Sequence, residues 1–315
     1  MPNAQWSVLP NALPGEAPNA PNPRASGVDL HAHTTASDGS LSPTELVRKA
    51  AGLGLAALSV TDHDTLSGLA EARAAADAAG LELVPGVELS VEDGGGRFHL
   101  LGYGFDPTDA ELGLKLETLR AARADRNERM AVKMAELNLP VTMDDVRAEA
   151  GEDADVIARP HFAQALIKKG IVRSVQEAFD TYLASGKPLY LPKEVLTPRD
   201  AIALLHAAGG VAVMAHPGLV PLSASALAAR VASLAQDDGL DGIEAYYSQH
   251  SPADTDRFLA LAERHGLLVT GGSDFHGTPK PHVPLGIVFQ GKAAPYALLE
   301  RLRERLRVRL EPTCG

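Results

Sequence analysis

Val28-Asp29-Leu30-His31-Ala32-His33 is followed by Ser42-Pro43-Thr44-Glu45, a helical run to about Gly52, and then the apolar run Ala57–Thr61. Ser42–Glu45 carries a helix-start signature: a hydroxyl cap, proline at the first helical position and glutamate three residues after the cap. A short strand, a helix and a second short strand in succession make a parallel βα unit. The rhythm continues outward. Further β-rich runs fall at Leu81–Val87, Phe98–Tyr103, Gly210–Ala215, Gly242–Tyr246, Leu267–Thr270 and Leu285–Phe289. Amphipathic helical runs fall at Thr65–Ala79, Thr197–Ala208, Pro252–His265 and Ala293–Leu306. The expectation is an α/β chain, either a barrel or a doubly wound sheet. Two stretches stand outside it. Residues 107–189 show almost only helical pattern, as in Leu112–Leu137, and read as a helical insertion from one loop. Residues 1–26 hold six prolines, five alanines and four asparagines without periodicity, and read as a disordered tail. Gly94-Gly95-Gly96 lies between two strands and reads as a hairpin turn.

The 315 residues carry a net charge of −11, which disfavours a binder of duplex DNA because such a protein displaces phosphate counterions with a basic face. No apolar run approaches the ~20 residues that span a bilayer, and no secretory signal is visible, so the expected location is the cytoplasm. The single cysteine, Cys314, excludes a disulfide framework and a thiolate metal cluster. Nothing in the pattern speaks to oligomeric state.

The histidines gather at strand ends, where α/β enzymes place their chemistry. His31 and His33 alternate along one strand and so share a face, a ready two-nitrogen chelate. Thr61-Asp62-His63-Asp64 closes the next strand and Gly86-Val87-Glu88 the one after. Ala215-His216-Pro217 and Gly272-Ser273-Asp274-Phe275-His276 close two later strands. His99, inside Phe98-His99-Leu100-Leu101, reads by its own context as a hydrogen-bonded core histidine. Nitrogen and oxygen donors without sulfur, repeated at successive strand ends, are the composition of a multinuclear site for Mn, Fe or Zn.

With Ser37-Asp38-Gly39 added, these motifs resemble the four signatures of the PHP (polymerase and histidinol phosphatase) domain, in order over about residues 28–292. Arg159-Pro160-His161 and Gly186-Lys187-Pro188…Lys193 resemble the subgroup acting on nucleoside 3′,5′-bisphosphates and trimming RNA 5′ ends. The resemblance implies a distorted (β/α)7 TIM-like barrel over 27–106 and 190–315, with the insertion 107–189 contributing to substrate binding. It implies two to three divalent ions: His31, His33, Glu88 and Asp274 at the first, Glu88, His99 and His216 at the second, and Asp38, His63 and His276 at the third. His99 thereby becomes a ligand. The implied reaction is hydrolysis of phosphomonoesters by a metal-bound hydroxide near Glu88, with Asp62 orienting His63 or accepting a proton. The expected substrate is a small phosphorylated nucleotide or a short 5′-phosphorylated RNA, contacted by Asp38, Arg159, His161, Lys187, Lys193 and His276. The competing readings are a histidinol-phosphate or sugar-phosphate phosphatase and a non-catalytic metal-binding module.

Overall fold

The computed structural model describes residues 27–151 and 154–310; the expected tail over 1–26 and Cys314 lie outside them. Seven strands form one sheet in chain order: β1 (Val28–Ala32), β2 (Ala57–Val60), β3 (Glu82–Asp93), β4 (Gly96–Tyr103), β5 (Val211–Met214), β6 (Gly242–Tyr247) and β7 (Leu268–Gly272). A parallel bridge from Ala32 to Phe275 brings the two edges together, which nearly closes the sheet into a barrel. Buried Asp29 fastens this seam by accepting from the Ser273 and Gly286 backbone N–H groups at 2.9 and 2.8 Å.

Helices pack around the strands: α1 (Pro43–Gly52), α2 (Leu69–Ala79), α3 (Ala110–Glu136), α4 (Met143–Ala150), α5 (Arg159–Lys168), α6 (Val175–Ala178), α7 (Pro198–Ala207), α8 (Ala224–Ser233), α9 (Pro252–His265) and α10 (Tyr296–Leu310). The Ser42–Glu45 capping box opens α1 as the sequence expects.

The hairpin read at Gly94–Gly96 makes β4 antiparallel to β3, and β4 is antiparallel to β5 as well, so the sheet is not parallel throughout. The glycine turn at 94–96 is too short for a crossover, so the chain reverses there. Leu285–Phe289 is not a strand. Phe289 makes only an isolated bridge to Lys292, and it is the following Ala294 that bridges Val28 at the edge of β1. Helix α8 escapes the sequence reading because its buried stripe is only Leu227 and Val231 in an alanine-rich run.

Two apolar clusters divide the interior. The larger surrounds the strands and includes Leu112, Leu116 and Leu119 of α3. The smaller joins Met130 and Met134 of the same helix to Val146, Phe162, Leu166, Leu183 and Leu189. Helix α3 is therefore a beam shared by both. Beyond it, the Asp155 and Val156 N–H groups both donate to the Ala36 carbonyl at 3.2 Å. Thr65 Oγ1 reaches Asp155 at 2.5 Å, so the helical segment is tied to two loops at the barrel mouth.

Candidate metal centre

All the expected ligands converge at the mouth formed by the ends of β1, β2, β5 and β7. Glu88 comes from the middle of the long β3, and a bridge to His63 sets it beside the β2 end. His99 joins because β4 is reversed: it stands opposite Ser90, so its side chain shares a sheet face with Glu88.

The fully buried Glu88 carboxylate is the focus. Its Oε1 lies 2.7 Å from His99 Nδ1 and 2.9 Å from His216 Nε2. Its Oε2 lies 3.2, 3.1 and 3.2 Å from His31 Nε2, His33 Nε2 and His63 Nδ1. His33 Nε2 and His31 Nε2 also face Asp274 Oδ1 at 3.4 and 3.6 Å. His276 Nε2 stands 3.2 Å from Asp38 Oδ1, and His63 Nε2 stands 3.9 Å from Asp38 Oδ2.

Three donor groups have the compactness of ion sites: His31, His33, Glu88 and Asp274; His33, Asp38, His63 and His276; and His63, Glu88 and His99. Five imidazoles crowd one carboxylate, which offers about four lone-pair directions. His33 Nε2, His63 Nδ1 and His99 Nδ1 are buried without a hydrogen-bond partner. Such orphaned nitrogens, aimed at carboxylate oxygens, are what divalent cations would satisfy, so the donor set fits metal ions.

The charges agree. Burial resists ionisation throughout, yet the surrounding imidazoles hold Asp38 and Glu88, and Lys280 together with the imidazoles holds Asp274, well below the usual carboxylate range. Burial likewise opposes a proton on His33, but Asp274 and Glu88 raise it to about 9. Burial lowers His63, His99 and His276.

A supporting layer fixes the ligands. Glu244 Oε1 lies 3.0 Å from His31 Nδ1, and its Oε2 accepts the His216 backbone N–H at 2.7 Å. His31 thus donates from Nδ1 and turns Nε2 to the centre. Tyr247 Oη and Lys280 Nζ hold Asp274 Oδ2 at 2.8 and 2.7 Å, leaving Oδ1 toward His31 and His33. Asp62 accepts from Thr34 N, Thr34 Oγ1 and Ser37 Oγ at 2.8, 2.6 and 2.5 Å. None of these bonds goes to His63; they brace the loop that carries Asp38. Asp64, His216 and Asp274 all have positive φ, a strain that gathers at functional sites.

The expected substrate contacts scatter more. Lys193 reaches Ser90 Oγ at 2.6 Å and Asp64 Oδ2 at 3.1 Å, and Arg123 pairs with the same Asp64 oxygen. Burial pushes Lys193 down to about 7 although Asp64 pulls upward. Arg159 opens α5, donates to Leu183 O at 3.1 Å and lies over the Phe179 and Tyr190 rings. Buried His161 accepts the Ala158 N–H at 3.1 Å through Nδ1. Lys187 is exposed, and no hydrogen bond or ion pair ties its side chain to the cluster. Sequence reasoning missed Tyr247, Lys280, Arg123 and Arg126. The arginines had a signal: they occupy inward positions of α3 in line with Leu112, Leu116, Leu119, Met130 and Met134.

Fold and site together define a barrel hydrolase whose chemistry rests on a histidine–carboxylate metal centre. A profile of the PHP domain matches residues 29–140. The 3′,5′-nucleoside bisphosphate phosphatase of Chromobacterium violaceum is 36% identical over 251 residues, covering 80% of this chain and 87% of that protein. The 5′-3′ exoribonuclease Rnm of Escherichia coli is 38% identical over 263 residues, covering 82% and 87%. A crystal structure from Bifidobacterium adolescentis, assigned to the metal-dependent phosphoesterases, superposes with a TM-score of 0.78 at 36% identity, covering 89% of this chain and 96% of that one. The chain belongs to the PHP family of metal-dependent phosphoesterases. Among the described residues no helix is long and apolar enough to cross a membrane.

Proposed function

We propose that this enzyme removes the 3′-phosphate of nucleoside 3′,5′-bisphosphates and trims short 5′-phosphorylated RNA from the 5′ end, in the cytoplasm. The observation that carries the reading is the five-imidazole carboxylate Glu88 beside a group of cations that helix α3 and residues 159–193 bring to the barrel mouth. Two to three ions of the Mn, Fe or Zn kind would be held by His31, His33, Glu88 and Asp274, by Glu88, His99 and His216, and by Asp38, His63 and His276. Bound there, such ions supply a water that is nucleophilic at neutral pH and neutralise charge on the phosphoryl oxygens.

The chain's own residues do the rest. Glu244, Tyr247 and Lys280 hold His31, His216 and Asp274 in orientation, and Asp62 holds the loop of Asp38. Asp38 and His276 would contact the phosphate to be cleaved. Lys193, Arg159 and His161 lie on the side from which a nucleotide would extend. In this reading the barrel, 27–106 and 190–315, carries the chemistry, and 107–189 selects the substrate. A buried cation group suits a second phosphate and repels the ammonium of an amino-alcohol phosphate such as histidinol phosphate.

The test is hydrolysis of adenosine 3′,5′-bisphosphate, histidinol phosphate and a 5′-phosphorylated RNA trimer by protein reconstituted separately with Mn, Fe or Zn. The bisphosphate and the RNA should be turned over far faster than histidinol phosphate. Preference for histidinol phosphate would overturn the proposal.

A further inference from the structure

His250 is a buried imidazole that stands apart from the ligand cluster. It is 8% exposed and lies in the turn after β6. Its Nδ1 sits 3.0 Å from the Ala245 carbonyl, and its Nε2 accepts the Gly218 N–H at 3.2 Å. A carbonyl only accepts and a backbone N–H only donates, so the two bonds together demand the neutral ring with its proton on Nδ1. Burial favours the neutral form by lowering the pKa, against the pull of the Ala245 carbonyl. The ring is also wedged between Tyr247 and Phe258, with centroids 5.0 and 4.9 Å away.

Gly218 belongs to the turn that carries His216. That residue is held at φ 26°, ψ 60°, a conformation costly to any side chain with a Cβ. The backbone N–H groups of the turn show what holds it there. Pro217 has none. Leu219 donates back to the His216 carbonyl at 2.9 Å, which keeps the turn together from within. Two bonds come from outside it, one on either side of Pro217: His216 donates to Glu244 Oε2 at 2.7 Å, and Gly218 donates to His250. Gly218 is exposed, so water can satisfy its N–H; what the buried imidazole adds is a fixed direction. The approach is also specific to glycine. A Cβ at position 218 would stand 2.7 Å from His250 Cδ2 and 2.9 Å from its Nε2. Glu244, Tyr247 and His250 follow one another at intervals of three along one segment. Tyr247, between the other two, packs its ring 5.5 Å from that of His216.

We infer that His250 is a positioning residue for His216: through the Gly218 N–H it holds the strained turn that aims His216 Nε2 at Glu88, and so sets how tightly the ion between those two residues is held. The inference rests on the proposed function for the ligand role of His216. The aim is close, since His216 Nε2 lies 2.9 Å from Glu88 Oε1. Without the Gly218 bond the turn is free to relax away from positive φ, and the imidazole leaves the carboxylate with it. An ion would then have to restore the strained turn at the moment of binding. With His250 in place that cost is met by the folded chain beforehand.

The test compares two replacements. His250→Asn keeps a donor near the place of Nδ1 but no longer reaches Gly218, whereas His250→Gln brings an amide oxygen to the place of Nε2 and restores the acceptor. In chelator-treated protein, amide hydrogen exchange in the 216–219 turn should be about fivefold faster for His250→Asn and near wild type for His250→Gln. Zinc-loaded His250→Asn should give up zinc at roughly 10-fold lower chelator concentration than wild type, and His250→Gln within about threefold of it. Excess zinc should return kcat of His250→Asn on adenosine 3′,5′-bisphosphate toward wild type, which a damaged barrel would not allow. Gly218→Ala should lose zinc as His250→Asn does and add nothing in the double variant, because both break one contact. His216→Ala is the reference. If it retains zinc like wild type, the proposed ligand set falls, and with it the effect on the ion; exchange in the turn then decides whether His250 holds Gly218. Unchanged exchange or zinc release in His250→Asn, or equal losses in the Asn and Gln variants, would overturn the inference.

Discussion

Glu244→Gln isolates what the layer behind the metal ligands contributes. The wild-type carboxylate accepts two bonds, from His31 Nδ1 at 3.0 Å and from the His216 backbone N–H at 2.7 Å. Glutamine has the same shape, but only its oxygen accepts, whereas its nitrogen donates. One of the two partners must therefore face a donor. If that partner is His31, the imidazole must move its proton to Nε2, the nitrogen that points at Glu88 and Asp274, and it then cannot ligate. If it is His216, a buried backbone N–H loses its acceptor, and the turn holding that residue at φ 26° is released. Either way one charge-assisted hydrogen bond is lost. That is worth about 1.5–3 kcal/mol, which converts to roughly 10–100-fold, the range typical of such outer partners in metal sites. The assay has two arms: kcat/KM on adenosine 3′,5′-bisphosphate, and metal retained per chain after dialysis against a graded chelator. Both should fall while circular dichroism stays that of wild type. Metal retention and turnover within about threefold of wild type would refute the reasoning.

Three further outcomes follow from the same geometry. Stripping the metal should abolish hydrolysis and lower the melting temperature, since ligands that bind only the folded chain stabilise it; His31→Ala should reproduce both effects, read by metal content and calorimetry. Gly272→Ala should cost about 2–3 kcal/mol in denaturant unfolding, because its Cβ would collide with the backbone and Cβ of His31 across the β7–β1 seam. Asp241, 2% exposed, meets His206 Nε2 at 2.8 Å, Ala212 N at 2.9 Å and Arg309 at 2.6 Å, with Arg305 at 3.5 Å. Burial opposes its ionisation, yet these partners lower its pKa below the usual 3.8. The stability it adds is thus present above that value and lost as the pH falls through the lower, folded-state one. Asp241→Asn should lose about 3 kcal/mol at pH 7 and show a shallower acid decline; parallel acid titrations of the two proteins would contradict this.

Much of the site was legible in the sequence because each ligand type has a position that betrays it. His31 and His33 alternate on a strand, and Asp62-His63, Glu88, His216 and Asp274 end apolar runs that have no other reason to stop at charges. The capping residues of α1 and the glycine turn before β4 were equally readable, since local chemistry alone decides them. His99 is the instructive exception. In sequence it is an imidazole among apolar neighbours, and it becomes part of the Glu88 cluster only because β4 runs backwards.

Strand direction, register and closure are long-range properties, and no local periodicity encodes them. The sequence alone determined the alternating α/β architecture, the chemistry of the donor set and the place of His31, His33, His63, His216 and Asp274 at or just past strand ends, because those follow from side-chain period and ligand type. Only the tertiary structure decided that Leu285–Phe289 is not a strand of the sheet, that the Asp62 side chain braces a loop instead of bonding His63, and that Glu244 serves two ligands at once. Only it showed Arg126 buried in the middle of α3, donating to Asn127 Oδ1. Each of these depends on which residues from distant segments meet, and that is fixed by packing the helices and closing the sheet.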